Sequence, residues 1–302
     1  MADGRFAPSP TGDLHLGNLR TALAAWLFAR SAGSRFVVRM EDLDRVQSSR
    51  IHEASQLADL AALDMDWDGE VVRQSERFGR YEAAIAELVR AGLTYPCYCT
   101  RREIREAASA PHAGSSPYPG TCRDLSATDQ AGRERDGRPP ALRLRSDGRT
   151  VTVDDALIGP VSAVVDDVVL RRNDGVPAYN LAVVVDDAAQ GIGQVVRAED
   201  LAGSSPTQHH LAGLLGLPPV QYAHVPLVVG PDGRRLAKRD GAVTLAQQRG
   251  EGRTAAEVRC RLLVSLGVDA SVARGPADAL VAAFDPRSMP RGSVPVAGLL
   301  SP

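Results

Sequence analysis

Apolar residues recur at helical spacing near the start of the chain. Leu16, Leu19, Leu23, Trp26 and Leu27 fall on one face, which predicts a helix from about Leu16 to Ala29. Before it, Arg5 to Ala7 reads as a short strand that ends in the loop Pro8-Ser9-Pro10-Thr11-Gly12. After it, Phe36-Val37-Val38 reads as a buried strand that breaks into the acidic turn Glu41-Asp42-Leu43-Asp44. A second helix is predicted over roughly Ile51 to Leu63. A third is predicted over Arg77 to Ala91, with Tyr81, Ile85, Leu88 and Val89 on one side and Gly92 as its stop. Strand, helix, strand, helix at these lengths predicts an α/β fold with a parallel sheet and crossover helices.

The pattern changes near Tyr95. Residues 95–150 hold three of the four cysteines, several Pro and Gly, and a basic stretch. From Arg133 to Arg149 six arginines face Glu134, Asp136 and Asp147, a local charge of 6 − 3 = +3. Residues 151–170 alternate as short Val-rich strands, as in Val161-Ser162-Ala163-Val164-Val165. Leu181 to Val185 reads as a buried strand of the resumed core, and Val225 to Val229 as another. A helix is expected around Gln208 to Leu215. Thr254-Ala255-Ala256-Glu257 has capping-box spacing ahead of Val258, Leu262 and Leu266, so the C-terminal part is partly helical. Cys260 falls on that helix and reads as core.

Composition narrows the class. Of 302 residues, 44% are hydrophobic and 24% charged, which is ordinary for a globular chain and excludes disorder or a collagen-like fibre. The net charge is −2, so any nucleic-acid contact must come from a local patch. Four cysteines are too few for a disulfide scaffold. No apolar run reaches ~18 residues and no signal-like layout opens the chain, so the cytosol is the expected location and no membrane partner is expected. A monomer is the expected state. Of 35 basic residues only Lys238 is lysine. A position that keeps Lys in such a chain is a candidate for a compact, mobile point charge that Arg does not supply.

Two segments carry candidate chemistry. Pro8-Ser9-Pro10-Thr11-Gly12-Asp13-Leu14-His15-Leu16-Gly17-Asn18 joins the first predicted strand to the first helix. Open α/β sheets bind ligands at the carboxyl ends of strands, and helix N-termini attract anions. His15 and Gly17 therefore suit a phosphate chain, although an ordinary Pro/Gly loop with a surface histidine has the same letters. Arg235-Leu236-Ala237-Lys238-Arg239-Asp240-Gly241-Ala242 is a basic, Gly-flanked loop after a late strand. It suits a polyphosphate clamp, or else is a solvated charge run.

In this order, the two segments resemble the HIGH and KMSKS signatures of class I aminoacyl-tRNA synthetases. Arg5-Phe6-Ala7-Pro8-Ser9-Pro10-Thr11-Gly12, Arg39-Met40-Glu41-Asp42-Leu43-Asp44, Tyr179 to Asp187 and Val196-Arg197-Ala198-Glu199-Asp200-Leu201 resemble the glutamyl branch. The resemblance covers nearly the whole chain. Only 62 residues follow Asp240, fewer than a helical anticodon-binding region needs, so the likeness is to the short glutamyl-queuosine tRNA(Asp) synthetases. It implies a Rossmann-like catalytic core with an inserted zinc-containing module and a short helical C-terminal region. The expected segments are 1–94 and 176–250 for the two halves of the core, 95–175 for the module and 251–302 for the helical end.

The resemblance also implies roles. His15 and Lys238 would be catalytic, stabilising charge on the phosphates. Arg5, Ala7, Ser9, Glu41, Tyr179 and Arg197 would bind glutamate: guanidinium forks suit its side-chain carboxylate and Glu41 its ammonium. Pro8, His15, Gly17, Asn18, Arg235, Leu236, Ala237, Lys238 and Arg239 would bind ATP with its Mg²⁺. The partners implied are ATP, L-glutamate and queuosine-modified tRNA(Asp), with Arg133 to Arg149 as a candidate RNA patch. A truncated enzyme charging tRNA(Glu) and a non-catalytic RNA-binding paralogue are the alternatives. Arg235 and Ala237 depart from the second signature, and Leu16 and Asn18 from the first. Cys97-Tyr98-Cys99 with Cys122 suits a structural zinc site, which wants four ligands. His112 is the commoner type of fourth ligand. The sequences that this chain resembles carry instead a tyrosine four residues before the last cysteine, here Tyr118.

Overall fold

In the computed structural model, described for residues 2–100, 102–104, 118–230, 233–234 and 243–300, the chain begins β1 (Asp3–Phe6), α1 (Leu16–Ser31), β2 (Phe36–Met40), α2 (Arg50–Ala62), β3 (Val72–Arg73) and α3 (Phe78–Arg90). Next come β4 (Thr94–Cys97), α4 (Ala127–Arg135), β5 (Ala141–Leu144), β6 (Thr150–Asp155), β7 (Gly159–Val164) and β8 (Val169–Arg171). Then follow α5 (Tyr179–Gln190), β9 (Ile192–Ala198), α6 (Ser205–Leu214), β10 (Gln221–Val225) and β11 (Val228–Val229). The last elements are α7 (Leu245–Gly250), α8 (Ala255–Ser265), α9 (Ala277–Ala283), β12 (Val294–Pro295) and α10 (Val296–Leu300).

The main sheet has the order β3-β2-β1-β9-β10-β6-β7. All its pairings are parallel except the β6–β7 hairpin at the edge. The chain runs outward from β1 to β2 and β3, then returns to lay β9 and β10 on the other side. That makes the β1/β9 boundary a topological switch point, where open α/β sheets leave a crevice. A second, antiparallel sheet has the order β4-β5-β8. Among the described residues no helix is long and apolar enough to cross a membrane.

Helix α1 departs from the one-sided helix that its spacing predicts. It is buried nearly all round, because it lies between the sheet and the C-terminal helices, where Leu19, Leu23 and Leu27 share a core with Val258, Leu262 and Leu266. Arg20 on this helix has no solvent exposure, and burial lowers its pKa to about 10. It donates to Pro226 O at 2.8 Å and to Ser265 O at 3.0 Å, which ties α1 to the link between β10 and β11 and to α8. The capping box at Thr254 forms as the sequence predicts, with Glu257 N donating to the hydroxyl at 3.2 Å and Thr254 N to the carboxylate at 2.7 Å.

Three segments differ in type, extent or sheet from the sequence reading. Leu181 to Val185, read as a strand, is the middle of α5. A short apolar run does not distinguish a buried helix from a buried strand. Here seven successive positions, Leu181–Asp187, are buried, and Gly191 at φ 72° ends the helix in the left-handed conformation. Val225 to Val229 is two strands rather than one, because Pro226 has no N–H for a ladder. Residues 150–164 fall inside the segment read as the inserted module. They form instead the β6–β7 edge of the main sheet, since alternation tells which face is buried but not which sheet is joined.

Candidate active site

The loop after β1 and the loop after β9 open onto a cavity of about 580 Å³ at the switch point. Its lining includes Arg5, Ala7, Pro8, Ser9, His15, Asn18, Glu41, Tyr179 and Arg197, so residues predicted from four separate segments do meet. Gly17 is not on the cavity wall. Arg235, Leu236, Ala237, Lys238 and Arg239, like His112, lie outside the described residues. The flanks of the second motif are described, however, and both reach the N-terminus of α1. Leu16 N donates to Val243 O at 2.9 Å, Thr244 bridges His15, and a Cβ on Gly17 would meet Val228 at 3.4 Å.

His15 caps α1. Its Nδ1 accepts from Asn18 N at 3.2 Å, and its own N–H donates to Asn18 Oδ1 at 3.3 Å. With the Nδ1 lone pair used, a neutral ring carries its proton on Nε2 and can donate from there to an anion. The glycine at 17 leaves room for the His15 ring. A Cβ there would lie 3.0 Å from the His15 ring. Gly17→Ala is therefore expected to push the imidazole off its cap and lower the rate of any reaction at this site by about 10- to 100-fold. A kinetic comparison with wild type checks it; an unchanged rate would show that the ring position is irrelevant. Gln56, which the sequence reading missed, fixes the loop shape by donating to Ser9 O at 3.1 Å and Gly12 O at 2.7 Å.

Behind the cavity lies a buried ionic network. Arg39 has no exposure and reaches Asp187 at 2.8 Å, Glu41 at 3.4 Å and Asp186 at 3.9 Å. Arg5 pairs with Asp187 at 3.4 Å. Asp186 also accepts from Arg77 Nε at 2.6 Å, Tyr81 OH at 2.7 Å and Gln74 Nε2 at 3.0 Å. Three guanidinium groups thus balance three carboxylates. Burial would raise the pKa of Asp187, but Arg39 and Arg5 hold it below the usual carboxylate range. Glu41 is pushed up, chiefly by burial, with Asp187 adding to it against Arg39 and Arg5. A cationic group bound beside Glu41 would relieve that cost.

Arg197 stands outside this balance. It is buried, 5% exposed, and among the described residues no carboxylate pairs with it. Neutral acceptors hold it instead: Gln208 Oε1 and Ser205 Oγ at 2.8 Å, His224 Nε2 at 3.0 Å, Ser204 Oγ at 3.1 Å, Leu201 O at 3.2 Å and Tyr179 OH at 3.4 Å. A buried cation on a cavity wall, with no carboxylate partner among the described residues, is suited to an anionic group.

A second cluster lies in the module. The thiols of Cys97, Cys99 and Cys122 lie within 4.8 Å of one another, a spacing that could hold a metal ion. The Tyr118 hydroxyl sits 3.3 Å from Cys97 Sγ and 3.4 Å from Cys99 Sγ, so it completes a four-donor set. The donors therefore fit a closed, tetrahedral site. Arg143 stacks over the Tyr118 ring at 3.8 Å. That contact shows the fate of the basic stretch from Arg133 to Arg149: much of it is used internally. Arg143 is buried and donates to Asp167 O at 2.6 Å, Arg145 pairs with Asp124 at 2.9 Å, Arg138 with Glu103 at 2.9 Å, and Arg149 with Asp147. Four of the six arginines are thus engaged within the module.

A parallel sheet with a helix N-terminus and an ionic pocket at its switch point is the architecture of a class I synthetase catalytic core. Residues 2–274 match the family described as tRNA synthetases class I (E and Q), catalytic domain. The chain belongs to that family, and within it to the glutamyl-Q tRNA(Asp) synthetase branch of ligases. It is 60% identical to the glutamyl-Q tRNA(Asp) synthetase of Nocardia farcinica over 288 residues, covering 95% of this chain and 91% of that one. It is 45% identical to the protein of the same name from Symbiobacterium thermophilum, covering 97% and 95%. A solved glutamate tRNA ligase from Elizabethkingia meningosepticum, in complex with its amino acid, superposes with a TM-score of 0.83 at 25% identity, over 97% of this chain and 66% of that one.

Proposed function

We propose that the protein activates L-glutamate with ATP, without tRNA, and transfers the glutamyl group to the cyclopentene diol of queuosine in the anticodon of tRNA(Asp). The observation that carries this reading is Arg197, a buried cation with no carboxylate partner among the described residues, in one cavity with Glu41 and His15. The side-chain carboxylate of glutamate answers Arg197, with Arg5 beside it. Its ammonium answers Glu41. Ser9 and Tyr179 complete the polar contacts, and the wall at Ala7 leaves room for the backbone of the substrate. The α-carboxylate then faces the N-terminus of α1.

In the first step a carboxylate oxygen of glutamate attacks the α-phosphorus of ATP. One P–O bond forms, the bond to the bridging oxygen breaks, and pyrophosphate leaves with that electron pair. Positioning and charge stabilisation do most of the work in such a step. His15, through Nε2–H, and Lys238 stabilise charge that builds on the phosphates. Mg²⁺ carried by the nucleotide would supply neutralisation of phosphate charge. In the second step a hydroxyl of the diol attacks the acyl carbonyl and AMP leaves. Cys97, Cys99, Cys122 and Tyr118 would hold a structural zinc ion, which would tie β4 to the loop before α4.

ATP–pyrophosphate exchange with each of the twenty amino acids, no RNA added, tests the first step. Exchange with glutamate alone is expected, collapsing in Lys238→Ala; exchange with another amino acid, or none, would defeat the reading. Transfer to queuosine-bearing tRNA(Asp), set against unmodified tRNA(Asp) and tRNA(Glu), tests the second. For the metal, elemental analysis of purified protein is expected to find about one zinc per chain and a marked loss in Cys122→Ser. Metal-free wild type of undiminished stability would count against the site.

A further inference from the structure

Arg197 and His224 are opposite one another in the β9–β10 pairing. A guanidinium only donates, so the 3.0 Å contact from Arg197 Nε requires a lone pair on His224 Nε2. The ring proton is then on Nδ1, which donates to Asp155 Oδ2 at 2.6 Å. Asp155 is itself anchored: its Oδ1 accepts from Leu157 N at 2.9 Å, Ile158 N at 3.0 Å and His224 N at 3.2 Å. Tyr222 stacks on the imidazole, 5.9 Å between ring centres and 15° between planes. Both His224 and Asp155 have fully buried side chains.

Ser205 completes a Ser–His–Asp set by composition, but the set is not a nucleophile. Ser205 has no exposure, and its hydroxyl accepts from Arg197 Nη2 at 2.8 Å, while the Nε2 lone pair that would take its proton is already engaged by Arg197. The direction of the relay is the reverse of a hydrolase's: it ends on a cation.

We propose that Asp155 and His224 are positioning residues for Arg197, and that by fixing the imidazole tautomer they set the angle at which its guanidinium meets an acidic substrate side chain. This rests on the glutamate reading of the cavity. Asp155→Asn is the sharp test. An amide there turns N–H toward Nδ1, moves the ring proton to Nε2 and sets two donors against each other. In glutamate-dependent exchange by the full chain, the KM for glutamate is expected to rise about tenfold or more while the KM for ATP stays put. His224→Leu is expected to behave like Asp155→Asn. His224→Gln, whose carbonyl can reach the Nε2 position, is expected to recover most of the affinity. Imidazole ¹⁵N–¹H correlation on wild type is expected to show the His224 proton on Nδ1, a readout that does not depend on how well the variants fold. A proton on Nε2, or an unmoved glutamate KM in Asp155→Asn, overturns the inference alone. Wild type that exchanges with no amino acid overturns the glutamate reading and this inference with it.

Discussion

Arg197→Gln is expected to lower kcat/KM for glutamate in ATP–pyrophosphate exchange by about 10²- to 10³-fold, the largest loss of any single change at the pocket wall. Removing one member of a buried charge pair costs about 2–5 kcal/mol, because the other charge is left without an answer. Here the orphan would be the substrate's own carboxylate. The guanidinium is held by neutral acceptors before any substrate arrives, so little ordering remains to be done on binding. For the same reason Arg197→Lys is not expected to rescue, since an ammonium cannot engage His224, Gln208 and Ser205 together. A titration of glutamate at saturating ATP measures the effect. A loss smaller than about fivefold would mean that the acidic group is recognised elsewhere.

The second large effect concerns stability. Arg39→Met is expected to destabilise the fold by about 3–5 kcal/mol, the usual cost of stripping one partner from a buried ion pair. Arg39 is wholly buried and lies against Asp187, Glu41 and Asp186 at once. Without it, three carboxylates would share Arg5 and Arg77. A urea titration followed by tryptophan fluorescence measures the shift in midpoint. A change below about 1 kcal/mol would show that the cluster protonates or hydrates at little cost. Because Glu41 and Arg5 face the cavity from this network, the same variant is expected to bind glutamate poorly even when folded.

Much of the pocket was legible because its residues lie at the ends of elements that the sequence marks clearly. The Pro/Gly loop after β1 and the acidic turn after β2 are punctuation, and they bring His15, Ser9 and Glu41 to the carboxyl edge of the sheet. Tyr179 and Arg197 come from the family likeness, and each lines the cavity. The network behind the wall left no such mark. Asp186 and Asp187 close an apolar run, yet nothing local says that their partners are Arg39, Arg5 and Arg77, far away along the chain. Asp155 and His224 were equally silent, since a charge relay is a fact of register between strands. The misreading of Leu181 to Val185 has the same root: a short apolar run reports burial, and only the packing around it decides between helix and strand.

The chain enters the small antiparallel sheet at β4 and β5, leaves it to build β6 and β7 on the edge of the large one, and then comes back as β8. The two sheets are therefore stitched by the backbone, and cannot be parted without tearing out two strands of the catalytic layer. Melting should proceed as one cooperative event, with no separate early step for the module.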